Sequence, residues 1–214
     1  MIDRMGALAL QKDAPLPREW PLPELKVPAG DLESWRKQQD LEKDGRPVVA
    51  LSPGAVGPGK AWPSRCYAML ARELSKQGAS VWVLGGPDET SVAREIVAAA
   101  GNHAHDLTSR TLRNAILALA AADVSVTNDS GLMHVSAALG TSTIAIFGPT
   151  SPWHWRPLNP VTAILEPPGD DPSRERARID GNDAVRHRRT DDVAIETVLA
   201  NVRQALAGAR NREK

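Results

Sequence analysis

Most residues of this chain that could do chemistry gather in loop-like segments, and the richest is Thr127-Asn-Asp-Ser-Gly-Leu-Met-His134. Asp129 or Ser130 can cap a following helix, and Gly131 lets the backbone come close to a ligand. The amides of Ser130, Gly131 and Leu132 would then point outward at the start of that helix. Exposed amides plus the helix dipole make an anion site suited to a diphosphate. The Asp129 carboxylate would repel such an anion unless it faces a neutral sugar, where it can accept hydroxyl protons. His134 lies one turn on, close enough to support the loop or touch phosphate. The ordinary alternatives are a satisfied, partly buried histidine and a simply capped helix. A capped helix alone leaves the concentration of polar residues unexplained.

Three further segments carry unusual residues. Pro53-Gly-Ala-Val-Gly-Pro-Gly-Lys60-Ala-Trp-Pro63 begins like a nucleoside-triphosphate loop, G-x-x-x-x-G-K. That pattern needs Ser or Thr next, to hold magnesium, and Ala61 stands there. Pro58 removes an amide from the would-be cradle, so the NTPase reading fails. A Gly-rich loop presenting Lys60 remains; a lysine there can neutralise phosphate as a mobile point charge, or can simply be solvated. Gly85-Gly-Pro-Asp-Glu89 offers a carboxylate where ribose hydroxyls are commonly held, although Asp88 could equally cap a helix. Phe147-Gly-Pro-Thr-Ser-Pro-Trp-His-Trp155 adds the Thr150 and Ser151 hydroxyls for a phosphate or sugar. Trp153 and Trp155 in that segment suit an interface or a cover over the sheet end. No G-x-G-x-x-G follows the first strand, which argues against a dinucleotide cofactor.

The elements that must position these loops alternate. Strands are predicted at 48–52, 80–84, 103–107 (weakly), 123–127, 142–147 and 161–165. Helices are predicted between them at 63–78, 88–100, 111–122 and 132–139. In the third of these, Leu112, Ile116, Leu119 and Ala120 share one face. Such alternation, with nearly continuous apolar strands, implies α/β architecture: a Rossmann-like parallel sheet with helices on both faces, at residues 47–165. In that fold ligands bind beyond the carboxyl ends of the strands, where all these loops lie. Residues 1–46 read as a residual N-terminal segment and Pro-rich interdomain linker, with 31–43 helix-compatible. Residues 166–214 read as a polar loop and a C-terminal amphipathic helix at 191–207.

Composition narrows the classes. Lys plus Arg equals Asp plus Glu at 26 each, so no global basic field invites nucleic acid. The single Cys66 excludes an internal disulfide or a multi-cysteine metal site and fits a cytoplasmic protein. No apolar run approaches the roughly 18 residues of a membrane span. Arginines at 174–178 and 186–189 could meet acidic lipid phosphates at a membrane face, but interleaved acids favour a solvated loop.

Taken in order, the four segments resemble the C-terminal domain of the ADP-heptose:lipopolysaccharide heptosyltransferases, nearest the heptosyltransferase II group of glycosyltransferase family 9. The likeness is strongest over 48–165. It implies half of a GT-B glycosyltransferase, with donor held mainly by the second of two Rossmann-like domains. It further implies metal-independent, inverting transfer of heptose from ADP-heptose onto the lipopolysaccharide inner core, without a cofactor, at the inner face of the inner membrane. Residue by residue, it implies that Lys60 offsets donor phosphate charge, Glu89 binds the adenosine ribose and Asp129 the heptose hydroxyls. Ser130 and Gly131 would give amides to the diphosphate, with His134 beside them. The family's acceptor site and catalytic base are expected in an N-terminal domain, and this chain opens near the interdomain linker. The expectation is therefore a fragment, a truncated product or half of a split enzyme. It would bind the nucleotide-sugar donor without turnover unless an N-terminal-domain partner chain is supplied. The C-terminal helix, lacking that partner, is expected to leave an apolar face exposed.

Overall fold

Short β-rich runs form six strands: β1 Val48–Ser52, β2 Ser80–Val83, β3 Ala104–Asp106, β4 Val124–Asn128, β5 Ser142–Ile146 and β6 Ala163–Leu165. The computed structural model describes residues 21–41, 45–168 and 189–212. Every strand pair in it is parallel, in the order β3-β2-β1-β4-β5-β6. The helices among the described residues are α1 Ala29–Gln38, α2 Ser64–Lys76, α3 Thr90–Ala100, α4 Leu112–Ala121, α5 Gly131–Ala138, α6 Pro152–Trp155 and α7 Ile195–Arg212. The expected Rossmann-like α/β sheet is present, with its weak third strand and its sixth.

Strand pleating sends alternate side chains to opposite faces, and both faces are covered. Val49, Leu51, Val81, Val83, Val126 and Ile144 join one apolar cluster with residues of α2, α3 and α7. Val48, Ala50, Trp82 and Leu84 join another with Trp35 of α1 and Leu117 and Leu119 of α4. The charged segment after the prolines is thus more than a spacer. Trp35 is buried, meets Trp82 edge-on at 5.8 Å, and donates its indole N–H to Asn114 Oδ1 at 2.8 Å.

One expectation holds only in part, since Leu119 is buried and Ile116 and Ala120 are half-buried while Leu112 is not, and another fails. The core face of α4 is Leu117, Ala118, Leu119 and Ala121, while Leu112 is 64% exposed. Leu112, in the first turn of α4, instead lines an open pocket. The C-terminal helix does not leave its apolar face open: Val198, Leu199 and Val202 are buried, packed with α2, β4 and β5. It also starts later than forecast, because Thr190–Asp192 form a 3-10 turn ahead of it. Most of the Pro-rich start and the arginine-rich loop lie outside the described residues, as does the side chain of Trp153. Among the described residues no helix is long and apolar enough to cross a membrane.

Candidate functional site

β1 and β4 are adjacent, yet the chain leaves β1 toward β2 on one side and reaches β5 from β4 on the other. This reversal opens a crevice between the loops at the carboxyl ends of β1 and β4. A pocket of about 620 Å³ lies there, and Lys60, Glu89, Asp129, Ser130, Gly131 and His134 all line it. Residues from three separate loops, each singled out in the sequence, thus meet in one cavity.

Lys60 Nζ lies 2.8 Å from Asp129 Oδ2, and the pair is largely shielded, with side chains 21% and 7% exposed. Thr150 donates its hydroxyl to the same carboxylate oxygen at 2.6 Å. Thr150 is therefore engaged with Asp129, and Asp129 does not cap α5. Ser130 is the N-cap residue, yet its side chain makes no capping bond; its hydroxyl lies 3.3 Å from Thr127 Oγ1. The start of α5 thereby keeps amides without a side-chain cap, which favour an anion, beside a lysine whose charge is shared with the Asp129 carboxylate.

Glu89 sits against the glycine loops. Its Oε2 accepts from the Gly86 amide at 2.7 Å, so Glu89 rather than Asp88 folds back on this turn. A Cβ on Gly54 would fall 2.7 Å from Glu89 Oε1, and one on Gly85 would fall 2.8 Å from Glu89 Cβ. Glycine at both places lets the two loops close around the carboxylate. His134 is on the open side of α5. The protein mass around its ring lowers its pKa below the ordinary value, with the Asp129 charge opposing.

Sequence reasoning missed part of the lining. Val56, Leu112, Ala115, Leu132 and Val135 give the pocket an apolar wall, and Arg110 stands at it beside Trp155, which the sequence offers as a cover over the sheet end. Leu112 and Val56 are 64% and 93% exposed, a signal of a face waiting for an apolar partner that composition could not give.

The loop bearing Lys60 is tied down from beneath. Asn128, fully buried, accepts from the Trp62 amide at 3.0 Å and donates to Pro53 O at 2.7 Å, holding both ends of the loop. The Tyr67 hydroxyl donates to Asn128 Oδ1 at 3.1 Å, and its ring meets Trp62 edge-on at 5.0 Å. Burial pushes the Tyr67 pKa up, so it stays a neutral donor.

The profile of glycosyltransferase family 9 (heptosyltransferase) matches residues 1–182. The chain belongs to glycosyltransferase family 9. Its relatives include the lipopolysaccharide heptosyltransferase 2 of Salmonella typhimurium, 37% identical over 166 residues, covering 75% of this chain and 47% of that protein. The Escherichia coli K12 protein of the same name is 37% identical over 178 residues, covering 77% and 50%. Among solved structures, the ADP-heptose lps heptosyltransferase II of E. coli superposes with a TM-score of 0.79 at 31% identity, covering 98% of this chain and 62% of that one. A family 9 glycosyl transferase from Veillonella parvula shares the fold, with a TM-score of 0.70, 21% identity and coverage of 86% and 54%. This family 9 chain spans about half the length of the curated relatives it matches.

Proposed function

We propose that this chain is the donor-binding part of a heptosyltransferase that draws on ADP-heptose to build the lipopolysaccharide inner core. One observation carries the reading: in a family 9 chain, the six residues singled out for donor chemistry converge on a single pocket at the sheet's switch point. Within it, Lys60 and the amides of Ser130 and Gly131 take the diphosphate, Glu89 the ribose hydroxyls and Asp129 the heptose hydroxyls. His134 flanks the phosphates, and the apolar wall of Leu112, Leu132 and Val135 suits the flat face of a nucleobase.

The chemistry follows from charge. In transfer, the bond from the anomeric carbon to the diphosphate breaks and the diphosphate gains negative charge. Donors fixed on that diphosphate stabilise the transition state more than the bound substrate. Lys60 and helix amides supply positive potential in the role that a divalent cation fills elsewhere, so the reaction is metal-independent. Inversion requires the acceptor hydroxyl to attack from the face opposite the leaving group, with a base to take its proton. A lipid-borne acceptor brings the protein to the inner face of the inner membrane.

A second reading, donor binding without turnover by residues 1–214 alone, has its own support. The pocket's carboxylates are engaged, Asp129 with Lys60 and Thr150, Glu89 with the Gly86 amide. On this reading the base belongs outside this pocket, in an N-terminal domain. Calorimetry with ADP-heptose, and a transfer assay with a deacylated core acceptor, test both. Binding without transfer is expected. No binding of ADP-heptose would overturn the first reading, and transfer by the chain alone would overturn the second.

A further inference from the structure

The geometry points to Thr190 as a positioning residue that sets where Lys60 stands in the pocket. The inference rests on the reading of Lys60 as a contact to the donor diphosphate. The Lys60 loop has little internal order of its own. Gly57 and Gly59 adopt left-handed φ values of +113° and +72°, which glycine permits at little steric cost. The Lys60 amide reaches Gly57 O only at 3.5 Å. Its position must therefore be imposed from outside.

Asn128 fixes the two ends, Pro53 and Trp62, and leaves the tip between them. The tip is held from the other side by the C-terminal segment. Thr190 Oγ1 lies 2.7 Å from Ala61 O and 3.2 Å from Gly59 O, the carbonyls on either side of Lys60. One hydroxyl proton serves one carbonyl at a time, and the shorter distance favours Ala61. One step further, the Trp62 indole donates to Val193 O at 3.0 Å.

Burial separates this role from plain fold stability. Thr190 is fully buried, whereas Gly59 and Ala61 are exposed residues, so its hydroxyl joins a solvent-facing loop tip to a buried anchor. Removing the hydroxyl then frees the loop tip more than it unsettles the core. Thr190 also lies beyond residues 1–182, the span matched by the family profile. The segment leading into α7 thus completes the phosphate end of the donor pocket.

The test uses the full chain, with ADP as probe and calorimetry as readout. Thr190→Val is expected to weaken ADP binding about five- to tenfold, and Thr190→Ser to restore it to within about twofold. In a Lys60→Ala background, Thr190→Val should cause no further loss, because what it positions is already gone. A merely structural role would give an additive loss there and would overturn the inference, as would wild-type affinity in Thr190→Val. Should Thr190→Val melt early, Thr190→Ala carries the same comparison with a smaller side chain. If Lys60→Ala itself binds ADP as tightly as wild type, the phosphate contact is wrong. If Lys60→Ala weakens ADP while Thr190→Val does not, only the positioning role fails.

Discussion

Replacing Asp129 by asparagine keeps the shape of the side chain and removes its charge. Asp129 Oδ2 lies 2.8 Å from Lys60 Nζ and 2.6 Å from Thr150 Oγ1, with 7% of the side chain exposed. For a bound diphosphate, the carboxylate is an unfavourable neighbour. Two like charges about 5 Å apart cost roughly 3 kcal/mol at an effective dielectric of about 20. The variant removes that cost and releases Lys60 from a charge-assisted bond, at the expense of some order in the lysine. ADP affinity is therefore expected to hold or tighten. On the proposed reading, the sugar hydroxyls lose an ionised acceptor, which is about 1.5–3 kcal/mol, or roughly 10- to 150-fold. The preference of the pocket for ADP-heptose over ADP should fall by that factor in Asp129→Asn. Titration calorimetry with both ligands, at one ionic strength, reads the ratio directly. Equal weakening toward ADP and ADP-heptose would refute a sugar-facing Asp129.

Two further outcomes follow from the geometry. The pKa of His134 is lowered in the folded chain, so the unfolded chain binds the proton more readily and the fold loses stability as pH falls through about 6.5. Melting temperatures of wild type and His134→Gln at pH 7.5 and 5.5 should show the smaller acid loss in the variant; a larger one would reverse the assignment. Trp62 is 1% exposed, packs on Tyr67 and bonds to Val193 O. Trp62→Ala should cost about 3–5 kcal/mol in urea unfolding, and a loss under about 1 kcal/mol would show that the knot under the Lys60 loop is not a unit.

The sheet was legible because its signal is local. Runs such as Val48–Ser52 and Ser142–Ile146 are β-rich and bounded by loop residues, and alternation with helices dictates a parallel arrangement. The candidate site was legible for a related reason: in this architecture every strand-end loop faces one crevice, so unusual residues in several loops must converge. What the sequence hid depends on tertiary distance. Leu112 has the period of a core residue but stands exposed at the wall of the pocket. Asp129 reads as a helix cap, yet a lysine from β1's loop and a threonine after β5 claim its carboxylate instead. The apolar stripe of α7 was visible, but its partner was misjudged, because the helix folds back onto its own domain. Thr190 has no local signal at all; its favoured carbonyl partner, Ala61, is 129 residues away.

The strand order also governs how the chain is made. β1 pairs with β2, which follows it directly among the strands, but its other edge has no partner until β4 is made, and Val48 bonds Asp123 across a gap of 75 residues. Until then a run of Val-Val-Ala-Leu stands as an open sheet edge, the kind that recruits other chains. Because the crevice lies at that very seam, the proposed nucleotide site is complete only after the seam has closed. A donor at 100 times its dissociation constant would add about 2.7 kcal/mol to the closed form. Cells or refolding buffers rich in the nucleotide should therefore yield more soluble chain, through a ligand that favours the closed seam.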